Sequence, residues 1–239
     1  MTTSRFSGAA GQEYDLFRMA CPHFDELENE IGRIIKGYFG RRFQDKINTL
    51  EIGCGPGYTT LIVLDADERV NVVAVDNEPV MIAQAHDILR DYVEGGRVTL
   101  VEEDALVFLK RQCVASFDAF SSGFTLHNFE QDYRREVMRE IYRVLKPNGL
   151  FVNADKYALD DEQEHQRTLD WQLEQFQTVY SSIGRPDLIE EWTRHYLEDN
   201  KPEVLMKEWE SKNFMRRIGF SVCLVVYRKQ MEAVMFGKK

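Results

Sequence analysis

Leu50-Glu51-Ile52-Gly53-Cys54-Gly55-Pro56-Gly57-Tyr58 sets a hydrophobic run and an acidic residue directly before a Gly-x-Gly-x-Gly turn. Ile47 to Ile52 has the apolar, β-branched character of a strand entering a buried sheet. Thr59, Thr60 and the apolar residues up to Leu64 read as the first turns of a helix. Strand, glycine turn and helix in that order is how α/β proteins approach a nucleotide-like ligand. Glycines lack Cβ, so the backbone turns sharply and a ligand can lie against it. Two neighbouring motifs do not fit. A P-loop needs Gly-Lys-Ser/Thr, and here Gly57 is followed by Tyr58-Thr59. A dinucleotide fingerprint places its third glycine one residue later than Gly57.

The next segments extend the pattern. Asn71 to Val75 is a second buried-strand run and ends at Asp76, about 20 residues past the glycine turn, the distance expected for one helix and one strand. A carboxylate at that tip can accept hydrogen bonds from both ribose hydroxyls of an adenosine ligand. Pro79 suits a first helical turn, and Met81, Ala85, Ile88, Leu89 and Tyr92 recur at helical spacing. Val98 to Val101 predicts a third strand, followed by Glu102-Glu103-Asp104-Ala105; Phe117 to Phe129 predicts a fourth strand and its loop. Arg135 to Leu145 predicts a helix ended by Lys146-Pro147-Asn148-Gly149, with Gly149 suited to a left-handed turn, and Leu150 to Ala154 a fifth strand.

This ordered series, about 110 residues from Leu50 to about Lys156, resembles the class I S-adenosylmethionine-dependent methyltransferases. The resemblance implies an α/β, Rossmann-like fold with a seven-stranded, mostly parallel, doubly wound sheet and an antiparallel last strand. It implies S-adenosyl-L-methionine as cofactor and S-adenosyl-L-homocysteine as product. Glu51, Gly53, Gly55 and Gly57 would form the first motif, and Asp76, Asn77 and Met81 would lie beside the ribose and adenine. Asp104 and the backbone N–H of Ala105 would meet the adenine, and the loop holding Ser122 and Gly123 would pass under the methionine part. Met81 fits a core role equally well. Tyr14-Asp15-x-x-Arg18-x-x-x-Pro22 resembles the lid segment that precedes many small-molecule methyltransferase domains. There Tyr14 would donate a hydrogen bond and Arg18 would pair with the methionine carboxylate.

Length and composition bound the rest. The chain's 239 residues suffice for one α/β domain with a small insertion. A net charge of −10 argues against nucleic acid as the main substrate. Arg41, Arg42 and Lys46 sit near the start of the first strand, opposite the ligand end, and read as solvated surface. Cys21, Cys54, Cys113 and Cys223 show neither Cys-x-x-Cys nor zinc spacing, so they read as reduced, with no metal expected. Met1 to Gln12 is polar and small, and no apolar run reaches membrane-spanning length. The expectation is therefore a cytoplasmic protein without membrane contact, monomer or homodimer.

The predicted organisation is an N-terminal helical lid segment over 1–40 and a single S-adenosylmethionine-binding domain over 41–239. Residues 1 to about 12 read as mobile, and Pro22 as the divider between a short helix and a longer one. A helical substrate-cap insertion at about 158–217 precedes the sixth strand, and most of its Trp, Tyr and Phe residues fall at core spacing. Ser221 to Tyr227 and Ala233 to Phe236 are the last two strands, at which the fold is expected to be complete.

The chemistry implied by the resemblance is methyl transfer to an oxygen, nitrogen or carbon nucleophile of a small molecule. Such a reaction mainly needs alignment and exclusion of water, with a base only for a protonated acceptor. His127 is the first candidate, followed by Asp155, Tyr157 and His165; a structural role for His127 is the competing reading. Asp155 and Lys156 follow the fifth strand and would face the substrate, and Phe124 would lie near the sulfonium. Gly123-Phe124-Thr125-Leu126, Asp155-Lys156-Tyr157 and the Pro22 segment also resemble carboxy-S-adenosylmethionine synthase. That family has tyrosine where this chain has Phe24, asparagine at Gly123 and arginine near Tyr196, the groups expected to hold its extra carboxylate. A non-catalytic S-adenosylmethionine-binding sensor or assembly protein is the reading from another class.

Overall fold

The computed structural model describes Phe6 and residues 8–239. Three helices come first: α1 (Ala9–Gln12), α2 (Asp15–Ala20) and α3 (Phe24–Phe39). Alternating elements follow: β1 (Ile47–Ile52), α4 (Tyr58–Ala66), β2 (Val70–Asp76), α5 (Pro79–Ile88), α6 (Arg90–Glu94), β3 (Val98–Glu102), α7 (Ala105–Arg111) and β4 (Phe117–Gly123). After a 3-10 turn at Leu126–Asn128 come α8 (Gln131–Val144), β5 (Leu145–Lys156), α9 (Glu162–Ser182), α10 (Pro186–Asp199), α11 (Glu208–Ile218), β6 (Val222–Lys229) and β7 (Glu232–Lys238).

The strands form one sheet in the order β3-β2-β1-β4-β5-β7-β6. β1 to β5 pair in parallel, and β7 runs antiparallel between β5 and β6. The strand order reverses between β1 and β4, so a crevice opens beyond their carboxyl ends. Strand alternation sorts the side chains: Leu50 and Ile52 join the core cluster that holds Val137 and Ile141 of α8, while Ile47 joins the cluster under α3 and α4. Glu51 shares the face of Ile47 and so lies beneath α4.

Two predicted boundaries shift, with consequences. Pro22 does separate α2 from α3, but α3 is no lid. Leu27, Ile31 and Ile35 are fully buried on its inner stripe, against α4 and the β5–β7 half of the sheet. Each such side chain contributes roughly 1.5–3 kcal/mol, so α3 is a layer of the domain and only the α1–α2 stretch covers the crevice. The mobile reading of residues 1–12 falls partly outside the described residues; Ala9–Gln12 is helical. The 158–217 insertion likewise divides. α9 and α10 pack on each other and on α1 and α2, whereas α11 packs on α8 and β6 as a sheet-covering helix.

At the end of α8 the left-handed residue is Asn148 (φ 60), not Gly149. Asparagine tolerates that region through its short polar side chain. Gly149 is instead required for closeness: a Cβ there would stand 2.8 Å from the Lys146 carbonyl oxygen.

Candidate functional site

The crevice at the β1/β4 switch holds a cleft of about 130 Å³. Its floor is the glycine turn. Gly55 has φ 52, and a Cβ there would meet no atom within 4 Å, so this face of the backbone is open to the cleft. Its N–H donates to Asp76 Oδ2 at 2.9 Å, while Asp76 Oδ1 accepts from the Glu78 N–H at 2.9 Å. Two backbone donors thus fix the carboxylate at the tip of β2, and burial pushes its pKa up. Asn77, Met81, Asp104, Ala105, Gly123 and Tyr14 also line the cleft, as does Gly53. Asp104 has a second duty there. Its Oδ1 caps α7 through the N–H groups of Leu106 and Val107, both at 3.0 Å, and Oδ2 accepts from the Tyr133 hydroxyl at 2.8 Å.

Four expected cofactor residues do not line this cleft. Gly57 (φ 101) presses its backbone on α5, where a Cβ would come 2.9 Å from the Leu89 side chain, so it serves packing. Glu51 is fully buried with neither carboxylate oxygen within hydrogen-bond geometry of a partner among the described residues, and burial holds its pKa well above the ordinary carboxylate range against the opposing pull of Thr60. Ser122 donates to the Ile52 carbonyl at 3.0 Å and ties β4 to β1. Arg18 points the other way: it bonds Asp25 at 2.7 Å and lies over the Tyr58 ring at 4.8 Å. The turn at Cys21–His23 brings Asp25 next to α2, which takes the guanidinium from the methionine end.

Glu28 is a cleft residue that the sequence reading passed over. It lies on the apolar stripe of α3, between Leu27 and Ile31, and that misplaced acid was the available signal. Its Oε1 accepts from the Thr59 hydroxyl at 3.0 Å, and Oε2 has no partner among the described residues. Burial pushes its carboxyl up to about 7, against the Thr59 hydrogen bond. Gly123 leaves it room, since a Cβ there would stand 2.6 Å from Glu28 Oε1. Glu28, Asp76, Glu78, Glu103 and Asp104 are the charged residues on the described cleft wall, which includes no lysine or arginine. That lining suits a ligand with net positive charge, as a sulfonium with an α-amino acid tail has.

A narrow chamber of about 10 Å³ adjoins the cleft, sharing Phe6, Tyr14, Phe124 and Asn128 with it. Phe124 (φ 48) stacks on Phe24 with centroids 5.3 Å apart and meets Phe17 edge-on at 5.6 Å. Phe17 in turn stacks on Trp192 of α10 at 4.4 Å. On the chamber's polar side His127 Nδ1 is hydrogen-bonded to Asp155 Oδ1, and its Nε2 lies 3.5 Å from Asp199 Oδ2. Asp155 is fully buried and also accepts from Asn153 Nδ2 at 3.1 Å and the Lys156 N–H at 2.9 Å. Lys156 pairs with Asp199 and sits 3.5 Å from the Tyr196 ring centroid. Burial, with Lys156 nearby, draws the His127 pKa below its ordinary value despite the two carboxylates, so the ring is neutral near pH 7.

Tyr157 does not join this group. It shares the side of Asn153 and Asp155 but reaches toward α11, where its hydroxyl accepts from Asn153 Nδ2 at 2.7 Å and burial holds its pKa far above the ordinary value. His165 is bonded to Asn200 at 2.6 Å in the cap and does not line the chamber. Among the described residues no group of three His, Cys, Asp or Glu could hold a metal, and no helix is long and apolar enough to cross a membrane.

Residues 49–149 match the family model described as a methyltransferase domain. A carboxy-S-adenosyl-L-methionine synthase from Chromohalobacter salexigens is 25% identical over 176 residues, which are 73% of this chain and 61% of that protein. One from Shewanella halifaxensis is 27% identical over 215 residues, 89% of this chain and 82% of that protein. An O-methyltransferase family protein from Burkholderia thailandensis superposes with a TM-score of 0.66 at 16% identity, over 99% of this chain and 62% of that one. An S-adenosyl-L-methionine-dependent methyltransferase structure from Methanococcus maripaludis, described as putative, gives 0.64 at 17% identity, over 100% and 96%. The alignment thus spans about three fifths of the first curated relative and of the first structure. Residues 49–149 thus resemble a methyltransferase domain, and the whole chain shares its fold with solved methyltransferase structures.

Proposed function

We propose that this protein transfers the methyl group of S-adenosylmethionine to a hydroxyl of a small, largely apolar molecule, for which the chamber between Phe124, Trp192 and His127 widens from its closed volume of about 10 Å³. The observation that carries this reading is the continuity of an acid-lined cleft with an aromatic chamber whose wall bears a neutral His127 held by a buried Asp155. When bound, the cofactor supplies a methyl group already activated by its positive sulfur. This chain's residues do the rest. Asp76 and Asn77 would take the ribose, Met81 and Ala105 the adenine, and Glu28 the cationic tail. Asp155 accepts Nδ1–H, which leaves the Nε2 lone pair of His127 to take the acceptor's proton. The imidazole would keep that proton while the acceptor oxygen takes the methyl and the cofactor leaves as the neutral thioether. Closure by α2 and α10 excludes water. A small-molecule acceptor accords with a net charge of −10, and a cytoplasmic location with four free cysteines.

A second reading, carboxylation of the cofactor, draws on the name printed for the curated relatives. Against it stand the cleft's lining of acids without lysine or arginine among the described residues and the pairing of the chamber's Lys156 with Asp199, which leave an added carboxylate no unpaired cation there. The test is transfer of a labelled methyl group from S-adenosylmethionine to a panel of phenols and hydroxy acids, followed by wild type and His127→Asn. Product with an O-methyl group, lost in the variant, supports the proposal. A carboxylated cofactor formed from an added carboxylate donor, with no methylated product, overturns it.

A further inference from the structure

A cavity apart from the cofactor cleft is larger than it. It lies between α8 and α11, above the carboxyl half of β5, and measures about 630 Å³, within the range of small-ligand sites. Met138, Phe151, Met206, Phe214 and Met215 form its apolar body. Arg134, Arg135, Lys207, Arg216 and Arg217 surround it, against the single acid Glu210. A net charge of −10 makes this local excess of cations stand apart from the rest of the chain.

Arg134 adds an independent observation. It is 9% exposed, and its guanidinium bonds the carbonyl oxygens of Leu126 at 3.2 Å and Val204 at 2.8 Å rather than a carboxylate. Asp155 and Glu210 attract it without a direct bond; a buried cation whose own bonds go to neutral dipoles is costly, and an anion entering the cavity would offset that cost. Arg135 is already bonded to Asp132 at 3.0 Å, which leaves Lys207, Arg216 and Arg217 as the rim. Trp209, 62% exposed, stands on the same rim.

We propose that the cavity between α8 and α11 is a binding site for a small organic anion, a carboxylate with an apolar body, whose head lies among Arg134, Lys207 and Arg217 and whose body lies on Phe151, Met206 and Phe214. The site is distinct from the cofactor cleft and does not rest on methyl transfer. It shares a wall with the reaction chamber: Leu126 precedes His127, and Tyr157 is joined through Asn153 to Asp155.

The test is titration of the purified full chain with octanoate, with 1-octanol as its neutral counterpart and with inorganic phosphate, read by calorimetry and by tryptophan fluorescence. Saturable octanoate binding at least tenfold tighter than either control is expected. It should weaken at least tenfold in Lys207→Glu/Arg217→Glu, and the fluorescence change should vanish in Trp209→Phe while calorimetric binding persists. Thermal unfolding shows whether the double variant is folded; if it is not, Arg217→Glu alone, at an exposed position, replaces it. Equal binding of octanol, binding indifferent to the charge reversal, or no octanoate binding would each overturn the proposal. S-adenosylmethionine titrated into the same samples reports separately on the cofactor cleft.

Discussion

The cofactor cleft and the chamber beneath α10 are neighbours built on opposite principles. The cleft is made of backbone, a glycine turn and the ends of β1, β2 and β4, with a wall of carboxylates of which Glu28 keeps an oxygen without a partner among the described residues. The chamber is made of side chains already joined to one another: His127 to Asp155, Lys156 to Asp199, Phe17 to Trp192. An open acidic cleft waits for a cation that arrives with the ligand. A closed, paired chamber has a preset geometry and gains rate, not affinity, from it. Variants in the two regions should therefore separate binding from turnover.

The largest effect belongs to the chamber. His127→Asn is expected to lower the transfer rate about 10²–10⁴-fold, the usual worth of a general base, with cofactor affinity unchanged within about twofold. Single-turnover kinetics beside calorimetry would check this, and a parallel loss of affinity would merge the two regions. Next comes Gly55→Val. The side chain would fill open cleft space at a left-handed residue, so cofactor binding should fall at least about 100-fold, near 3 kcal/mol. Comparison with Gly55→Ala separates ligand obstruction from backbone strain, because both carry the strain but only valine fills the cleft.

Glu28→Gln tests the charge logic through pH. The folded carboxyl titrates at about 7, above its ordinary 4.5, so the fold favours its neutral form. Its contribution to stability is intact below the unfolded value and is lost as pH rises from about 4.5 through about 7. Ligand-free Glu28→Gln should thus match wild type near pH 4.5 and exceed it near pH 8 by up to about 3 kcal/mol. Cofactor binding should show the reverse: wild type gains affinity from pH 6 to 8 as Glu28 ionises, and the variant stays flat. Urea unfolding and calorimetry at the two pH limits read both. The smallest effect is expected of Arg18→Ala, whose exposed pair with Asp25 lies outside the cleft. Stability should change by less than about 1 kcal/mol and cofactor affinity by less than twofold; a tenfold loss would restore Arg18 to the carboxylate.

The two regions also differ in how far the sequence disclosed them. β1 to β5 and the placement of Asp76, Asn77 and Asp104 were legible because they depend on local rules, a buried strand run ending at an acid and a turn that only glycine fills. The first-motif pattern did not distinguish Gly55, which faces the cleft, from Gly57, which faces Leu89, because the difference is set by α5. Ser122 and Arg18 were misplaced for a similar reason: one bonds a neighbouring strand and the other a residue across the Pro22 turn. Glu28 needed a tertiary contact, α3 against α4, before its place on the apolar stripe acquired meaning. His127 and Asp155 were each singled out, but their pairing required the 3-10 turn to return over the end of β5. The cation-rimmed cavity was not legible at all, since its residues come from α8, α11 and the loop before it.

The most direct measurement is calorimetric titration of S-adenosylmethionine into the wild type and into Asp76→Ala. The account predicts one saturable site in the wild type and at least tenfold weaker binding in the variant, because Asp76 is anchored by Gly55 and Glu78 at the ribose position. Absence of binding to the wild type, or equal binding to both proteins, would contradict it.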